Sequence, residues 1–131
     1  LLATLHAPLV STPTEIRGSS WRRTRLSSAG YALGWRVYNY GGHDVVFHGG
    51  AVQGYRGAMA LIPGKDLGVV LLWNSESALP GGLLPTILDN ALGLTDGKWL
   101  NDEIDASSDM LYADGPHGAG ASSAEASPPP P

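Results

Sequence analysis

The chain has 131 residues, with 8 Lys and Arg against 12 Asp and Glu, a net charge of −4 and no cysteine. That length bounds it to one domain, and the acidic balance excludes an electrostatic footprint for nucleic acid. The missing cysteines exclude disulfides and thiolate zinc sites while leaving the redox compartment open.

At the N-terminus, Leu1-Leu2-Ala3-Thr4-Leu5-His6 has neither the charged start nor the apolar core of a signal peptide, and no initiator Met stands before it. A fragment of a longer protein is the expectation. Residues 1–7 read as the end of a helix, closed by Pro8 and the extended Val10-Ser11-Thr12-Pro13. Residues 14–30, rich in Ser, Arg and Gly without periodicity, read as a loop, and the run Arg22-Arg23-Thr24-Arg25 in it as a solvated or carboxylate-binding patch.

Four strands and a helix are expected next. Tyr31 to Tyr38 carries aromatic and β-branched residues in rough alternation, with Leu33, Trp35 and Val37 on one face. Residues 39–43 read as a turn with two glycines, Asp44 to Gly49 as the second strand, Arg56 to Ile62 as the third and Leu67 to Trp73 as the fourth. Pro63-Gly64 fits a type II turn. The fourth strand is apolar on both faces, which predicts cover on each side, and Trp35 and Trp73 read as core. Leu84, Ile87, Leu88, Ala91 and Leu92 then recur at helical spacing, with Pro85 in the first turn and Gly93 as the C-terminal cap. These elements make an α+β fold, an antiparallel sheet of about four strands with a C-terminal amphipathic helix over residues 1–104. Residues 105–131, small, polar and proline-rich, are expected as a disordered tail. No apolar run reaches the ~18–20 residues of a membrane span.

The chemistry concentrates at His48-Gly49-Gly50-Ala51. Two glycines on a strand edge let another backbone approach with no Cβ in the way, so an extended peptide or lactam can pair with it through main-chain hydrogen bonds. A hydrogen-bonding side chain beside that edge can polarise a carbonyl, and an unpaired backbone N–H there can serve in an oxyanion hole. Read alone, His-Gly-Gly is more often a turn with a satisfied polar residue at a strand end, since such tripeptides are common. His43 and His48, five apart on a strand, point to opposite faces and do not converge on a metal, whereas Asp44 and His48 share a face as a hydrogen-bonded or ionic pair. No metal and no cofactor is expected.

The succession of a Leu-Gly-Trp strand, His48-Gly49-Gly50, Gly54-Tyr55, the Pro63-Gly64 hairpin, an apolar strand ending in Trp73-Asn74 and the helix resembles the C-terminal region of the serine β-lactamase and penicillin-binding-protein superfamily. It is similar over residues ~30–93 to the branch of class-C-like β-lactamases, esterases and D-aminopeptidases. The resemblance implies a β-lactamase/transpeptidase-like fold and acyl transfer on an amide, ester or β-lactam. His48 takes the place of that family's Lys, Gly49 that of its Thr or Ser, and Gly50 that of its Gly. The N–H of Ala51 becomes the second oxyanion donor, which makes His48 and Ala51 the catalytic residues. Gly49, Gly50 and Tyr55 are the substrate-binding ones.

Two departures matter. Gly49 has no hydroxyl to hold a substrate carboxylate, and an imidazole titrates near neutrality where the family's ammonium stays charged. An esterase or peptide-processing hydrolase fits better than a dedicated β-lactamase. No Ser is followed by Lys three residues on, no Tyr-x-Asn or Gly-x-Ser-x-Gly occurs, and the Arg after Ser19-Ser20-Trp21 cannot act as a base. The expected partners are a small-molecule or peptide substrate and the N-terminal part of the same fold, which would carry the nucleophile. The compartment is unmarked in the sequence, the resemblance implying a periplasmic or secreted protein. The alternative is a non-catalytic β-rich module that binds an extended peptide at its glycine edge.

Overall fold

The computed structural model describes residues 1–95 and 97–113. Six strands form one antiparallel sheet in chain order: β1 (Val10–Ser11), β2 (Leu26–Tyr31), β3 (Arg36–Tyr40), β4 (His43–Val52), β5 (Tyr55–Ile62) and β6 (Leu67–Trp73). Among the described residues four α-helices accompany it: α1 (Leu2–Leu5), α2 (Ser20–Arg25), α3 (Leu83–Leu92) and α4 (Trp99–Ala113). The architecture is the expected α+β, with six strands in place of four. No helix among the described residues is long and apolar enough to cross a membrane.

Of the additional strands, β1 falls in the segment expected as extended and β2 in the stretch expected as a loop. Ser19 caps α2 by accepting from the Arg22 N–H at 3.4 Å, and Trp21 on that helix is buried. β2 is Leu-Ser-Ser-Ala-Gly-Tyr, a sequence of small residues whose strand form comes from pairing with β3 rather than from propensity. The strand expected over Tyr31 to Tyr38 is instead a hairpin. The Ala32 N–H donates to the Trp35 carbonyl at 2.7 Å and Gly34 takes a φ of 83°, so the chain reverses where a strand was expected. Leu33 is exposed at its tip.

Asn39 and Tyr40 belong to β3, and the turn contracts to Gly41-Gly42, with φ values of 56° and 86°. Both central residues in the left-handed region define a type I′ hairpin, whose twist matches that of the flanking strands. The type II turn expected at Pro63-Gly64 does not form. Pro63–Lys65 makes a 3-10 turn and the positive φ of 50° falls on Asp66, because the connection has four residues rather than two between paired strands.

Register fixes which side chains meet. Tyr38, Val45 and Phe47 of β3 and β4, Ala58, Ala60 and Ile62 of β5, and Val69, Leu71 and Trp73 of β6 share one face. Helices α2, α3 and α4 cover that face, and the core gathers Trp21, Tyr38, Tyr40, Val45, Ile62, Leu84, Leu88 and Trp99. The expectation that β6 is covered on both sides fails: Val70 is 60% exposed and Leu72 81%. All the covering helices lie on the other face. Trp73 does face the core, half-buried, whereas Trp35 packs between the rings of His6 and His48 at 5.3 and 6.1 Å, outside the core.

Helix α3 forms where its apolar spacing predicts, and Gly93, with a φ of 68°, closes it while the Leu94 N–H returns to the Asp89 carbonyl at 2.8 Å. Helix α4 runs on to Ala113, into the stretch expected as a tail from 105 onward. Its polar sequence gives little core signal, but Trp99 at its start is buried against α3. The rest of the expected tail, 114–131, lies outside the described residues.

One buried carboxylate ties these layers together. Asp89 on α3 is 5% exposed and accepts from three elements at once. The Tyr40 hydroxyl donates at 2.6 Å, the Trp99 Nε1–H at 2.7 Å, and the Arg25 Nε and Nη2 at 3.1 and 2.9 Å. The Arg25 guanidinium also lies over the Trp99 ring at 5.3 Å and donates to the Thr95 carbonyl at 2.7 Å. The hydrogen bond to Asp89 raises the Arg25 pKa against the opposing effect of burial. Burial first, then the bond to Asp89, push the Tyr40 phenol far above its usual range, so it is a neutral donor at all ordinary pH.

Asp89→Ala would take from a partly buried guanidinium, a phenol and an indole the acceptor they share, leaving Arg25 only the Thr95 carbonyl and Tyr40 only the Pro85 carbonyl at 3.1 Å. Removing one member of such a buried pair costs about 3–5 kcal/mol, to be read as a lower urea midpoint at unchanged m-value. A loss below about 0.5 kcal/mol would mean that apolar contact alone holds the helices on the sheet.

Candidate active site

The strand β4 has two halves with different neighbours. Its pairing with β3 ends at Phe47, opposite Arg36, while its pairing with β5 continues to Val52, opposite Tyr55. The segment His48–Val52 is therefore paired on one side and open on the other. Along it alternate residues direct their backbone N–H and C=O away from β5. The hairpin that carries this edge is braced from outside the sheet. Glu76 accepts from the Gly54 N–H at 2.7 Å and from Arg56 Nε and Nη2 at 3.1 and 2.6 Å. Those bonds, the Gly54 N–H first, hold the Glu76 carboxyl below its ordinary pKa.

The glycines of this edge are open to approach. A Cβ built on Gly49 would sit 3.6 Å from the Phe47 ring, an ordinary contact, and one on Gly50 would meet nothing within 4 Å. Neither glycine has a positive φ. Their lack of side chains serves access, not backbone conformation.

The sequence-derived site residues divide between two faces. Gly49, Gly50 and Ala51 line a groove of about 510 Å³ on the helix-covered side. Trp21, Phe47 and Trp73 give this groove aromatic walls, and Arg22, Arg56 and Glu103 give it charge. His48 is on the opposite face, opposite Met59, and lines a shallow depression of about 180 Å³ with Val70 and Leu72. Its ring packs edge-on against Trp35. Tyr55, 63% exposed, stands at the β4–β5 hairpin near Leu72 and Asn74 and does not line the groove. The structure thus brings Gly49, Gly50 and Ala51 together along the groove, lets Gly50 also line the depression on the His48 side, and places His48 across the strand from Gly49 and Ala51.

Three groove residues stand outside the five site residues read from the sequence, Arg22 among them as part of a run expected to be solvated or to bind a carboxylate. Arg22 falls in the stretch that reads as a loop, and only the Ser19 cap marks the short helix that carries it to the groove. Arg56 follows Tyr55 directly, where parity puts it on the Ala51 face. Glu103 lies on α4, which has weak apolar periodicity. Burial, and then the Asp102 carboxylate, raise the Glu103 pKa. His43 and His48 lie on opposite faces, as their spacing predicts. No group of three or more His, Cys, Asp or Glu side chains converges among the described residues.

If the edge is open, Gly49→Ser and Gly50→Ala should each change stability by under about 0.5 kcal/mol, as surface substitutions do. Gly82→Ala is the contrast. Its Cβ would lie 2.7 Å from the Trp99 carbonyl oxygen, between two packed helical segments, and overpacking of that kind costs about 1–3 kcal/mol. Thermal midpoints of the three variants check this, and a Gly49→Ser as damaging as Gly82→Ala would mean that the edge is covered.

A family model described as Beta-lactamase matches residues 5–92. Among curated proteins, the "Unguisins hydrolase ungD" of Aspergillus violaceofuscus (strain CBS 115571) is 33% identical over 72 residues, 53% of this chain and 13% of that protein. The chain therefore spans a small part of that relative's length. No solved structure matches. The family match covers well over half of the sequence, on an antiparallel sheet with a glycine-lined open edge, and the chain belongs to the Beta-lactamase family.

Proposed function

We propose that residues 1–104 are the C-terminal part of a β-lactamase-related serine hydrolase and supply one wall of its active site. The observation that carries this reading is the open edge at His48–Val52, where β3 stops and β5 does not. An acyl substrate lying extended along that edge pairs with backbone groups while Gly49 and Gly50 let it come close. The Ala51 N–H then donates to the oxygen of the attacked carbonyl as negative charge develops on it. The nucleophile and its base belong to the N-terminal part of the fold, since no Ser-x-x-Lys occurs in the chain.

His48 acts in this reading from the second face of the strand. Its imidazole leaves the same edge toward the side where Val70 and Leu72 are exposed. An uncovered apolar sheet face of this kind calls for a partner layer, and the N-terminal part is the layer that supplies it. The nucleophilic serine would come from that layer and meet the edge from the His48 side, with substrate held between it and the groove. The reaction is acyl transfer: serine attacks the carbonyl, the amine or alcohol departs with a proton, and water releases the acyl group.

The isolated chain should show no hydrolysis of a p-nitrophenyl ester or a chromogenic β-lactam above buffer, because it carries no activated nucleophile. The full-length product of its reading frame should hydrolyse at least the ester and be silenced by a serine-acylating probe. In that protein His48→Ala should lower kcat/KM by up to ~10²–10³, the range for removing one donor near developing negative charge, with the unfolding midpoint unchanged. His48→Lys should extend activity to higher pH, since an ammonium stays charged above the range in which an imidazole loses its proton. Full activity of His48→Ala across the pH range would make His48 a strand-end residue only. Esterase activity in the isolated chain, abolished by the serine-acylating probe, would overturn the assignment of the nucleophile.

A further inference from the structure

His48 is exposed on β4, and among the described residues one aromatic ring bears on its imidazole. The Trp35 ring stands edge-on to it, with centroids 6.1 Å apart and planes at 78°. The ladder explains why they meet. Arg36 pairs with Phe47 at the end of β3, so Trp35 holds the next place in the register, across from His48 and on the same face. The chain turns away at that point: Gly34 takes a φ of 83°, and the Trp35 carbonyl accepts from the Ala32 N–H at 2.7 Å. The Trp35 backbone is thereby committed to the β2–β3 turn, while its ring stays beside the open edge. The His6 ring, at the end of α1, also meets Trp35, at 5.3 Å and 79°.

An exposed side chain on an open edge has several staggered rotamers within reach, and a donor contributes fully only when it is already held near the productive geometry. We infer that Trp35 is a positioning residue for His48, fixing through its edge-on ring the orientation in which the imidazole donates at the open edge of β4. This inference rests on the acyl-transfer reading, in which His48 acts near the developing negative charge. An edge-to-face arrangement is a preferred one for aromatic pairs, and its geometry is specific. Trp35 is half-buried and confined by its turn and by His6, so it has less freedom than the side chain it holds. The buried core does not include Trp35. Loss of the ring contact is therefore separable from loss of the fold.

The test is a double-mutant cycle in the full-length product of the reading frame, with kcat/KM for a p-nitrophenyl ester as its readout. Trp35→Leu should lower kcat/KM about three- to ten-fold, the scale of one aromatic pair, and should do so through kcat rather than KM. Trp35→Phe, which keeps an aromatic ring, should retain part of the lost activity. In the His48→Ala background Trp35→Leu should have no further effect, because the side chain through which it acts is gone. A circular-dichroism melt confirms that each variant is folded. A second measurement needs no activity. In the chain itself, the His48 ring-proton NMR signals, identified by their loss in His48→Ala, should move in Trp35→Leu and move less in Trp35→Phe.

Unchanged kcat/KM in Trp35→Leu, an equal fold-loss with and without His48, or His48 ring signals that stay in place would overturn the inference. Full activity of His48→Ala would remove the role of His48 and the positioning role with it. Failure of the full-length protein to turn over any ester would instead remove the acyl-transfer reading. The ring signals would then still decide whether Trp35 holds the imidazole.

Discussion

The carboxylate of Asp89 is the point on which the helical layer depends. A charge almost wholly removed from water is tolerable only when its acceptor capacity is used. Here Tyr40 from the sheet, Arg25 from α2 and Trp99 from α4 use it. Each of those donors belongs to a different element, so one side chain on α3 sets the positions of the other two helices against the strands. The consequence for the groove is direct. Arg22 and Trp21 precede Arg25 on the same short helix, and Glu103 follows Trp99 on α4 by one turn. The Ser20 hydroxyl, donating to Asp102 at 2.6 Å, adds a second tie between α2 and α4. The wall facing Gly49–Ala51 is thus built from residues whose placement descends from one buried acceptor.

A second constraint comes from the strand itself. Side chains on β4 alternate, so His48 and Ala51 cannot project to the same side. A site that uses both must surround the strand rather than lie on one face of it. The open edge makes that possible, because a ligand there touches backbone directly and has access to both faces. Membership of the Beta-lactamase family agrees with this geometry: the edge is bordered by helices on one side and by exposed Val70 and Leu72 on the other. The same arrangement leaves β6 as an edge strand, with Val70 and Leu72 on an uncovered face.

Much of this was legible in the sequence where local chemistry decides conformation. The Gly41-Gly42 pair, the apolar run of β6, and α3 with Pro85 near its start and Gly93 at its end were readable because each rests on turn geometry or periodicity. The misreadings arose where tertiary contact decides. β2 is a strand only because β3 pairs with it, and α4 is helical with little apolar stripe to announce it. Pro63-Gly64 carried a turn signal, but the spacing of the flanking strands selected a longer connection. The site was half legible. The glycine edge could be found from His48-Gly49-Gly50, whereas Arg22 and Glu103 come from elements whose helical form was not read. Asp89 gave one overlooked signal, an acidic residue beside Leu88 on the buried stripe of α3.

The account turns on whether the outward amides of His48–Val52 receive the substrate. Hydrogen exchange on the full-length protein, before and after the proposed nucleophilic serine is acylated by a fluorophosphonate probe, measures this directly. In the free protein those amides should exchange with little protection, while β5, paired on both sides, is protected. After acylation the outward amides between Gly49 and Val52 should become protected. The account would be contradicted if those amides were already protected in the free protein, or if acylation left their exchange unchanged.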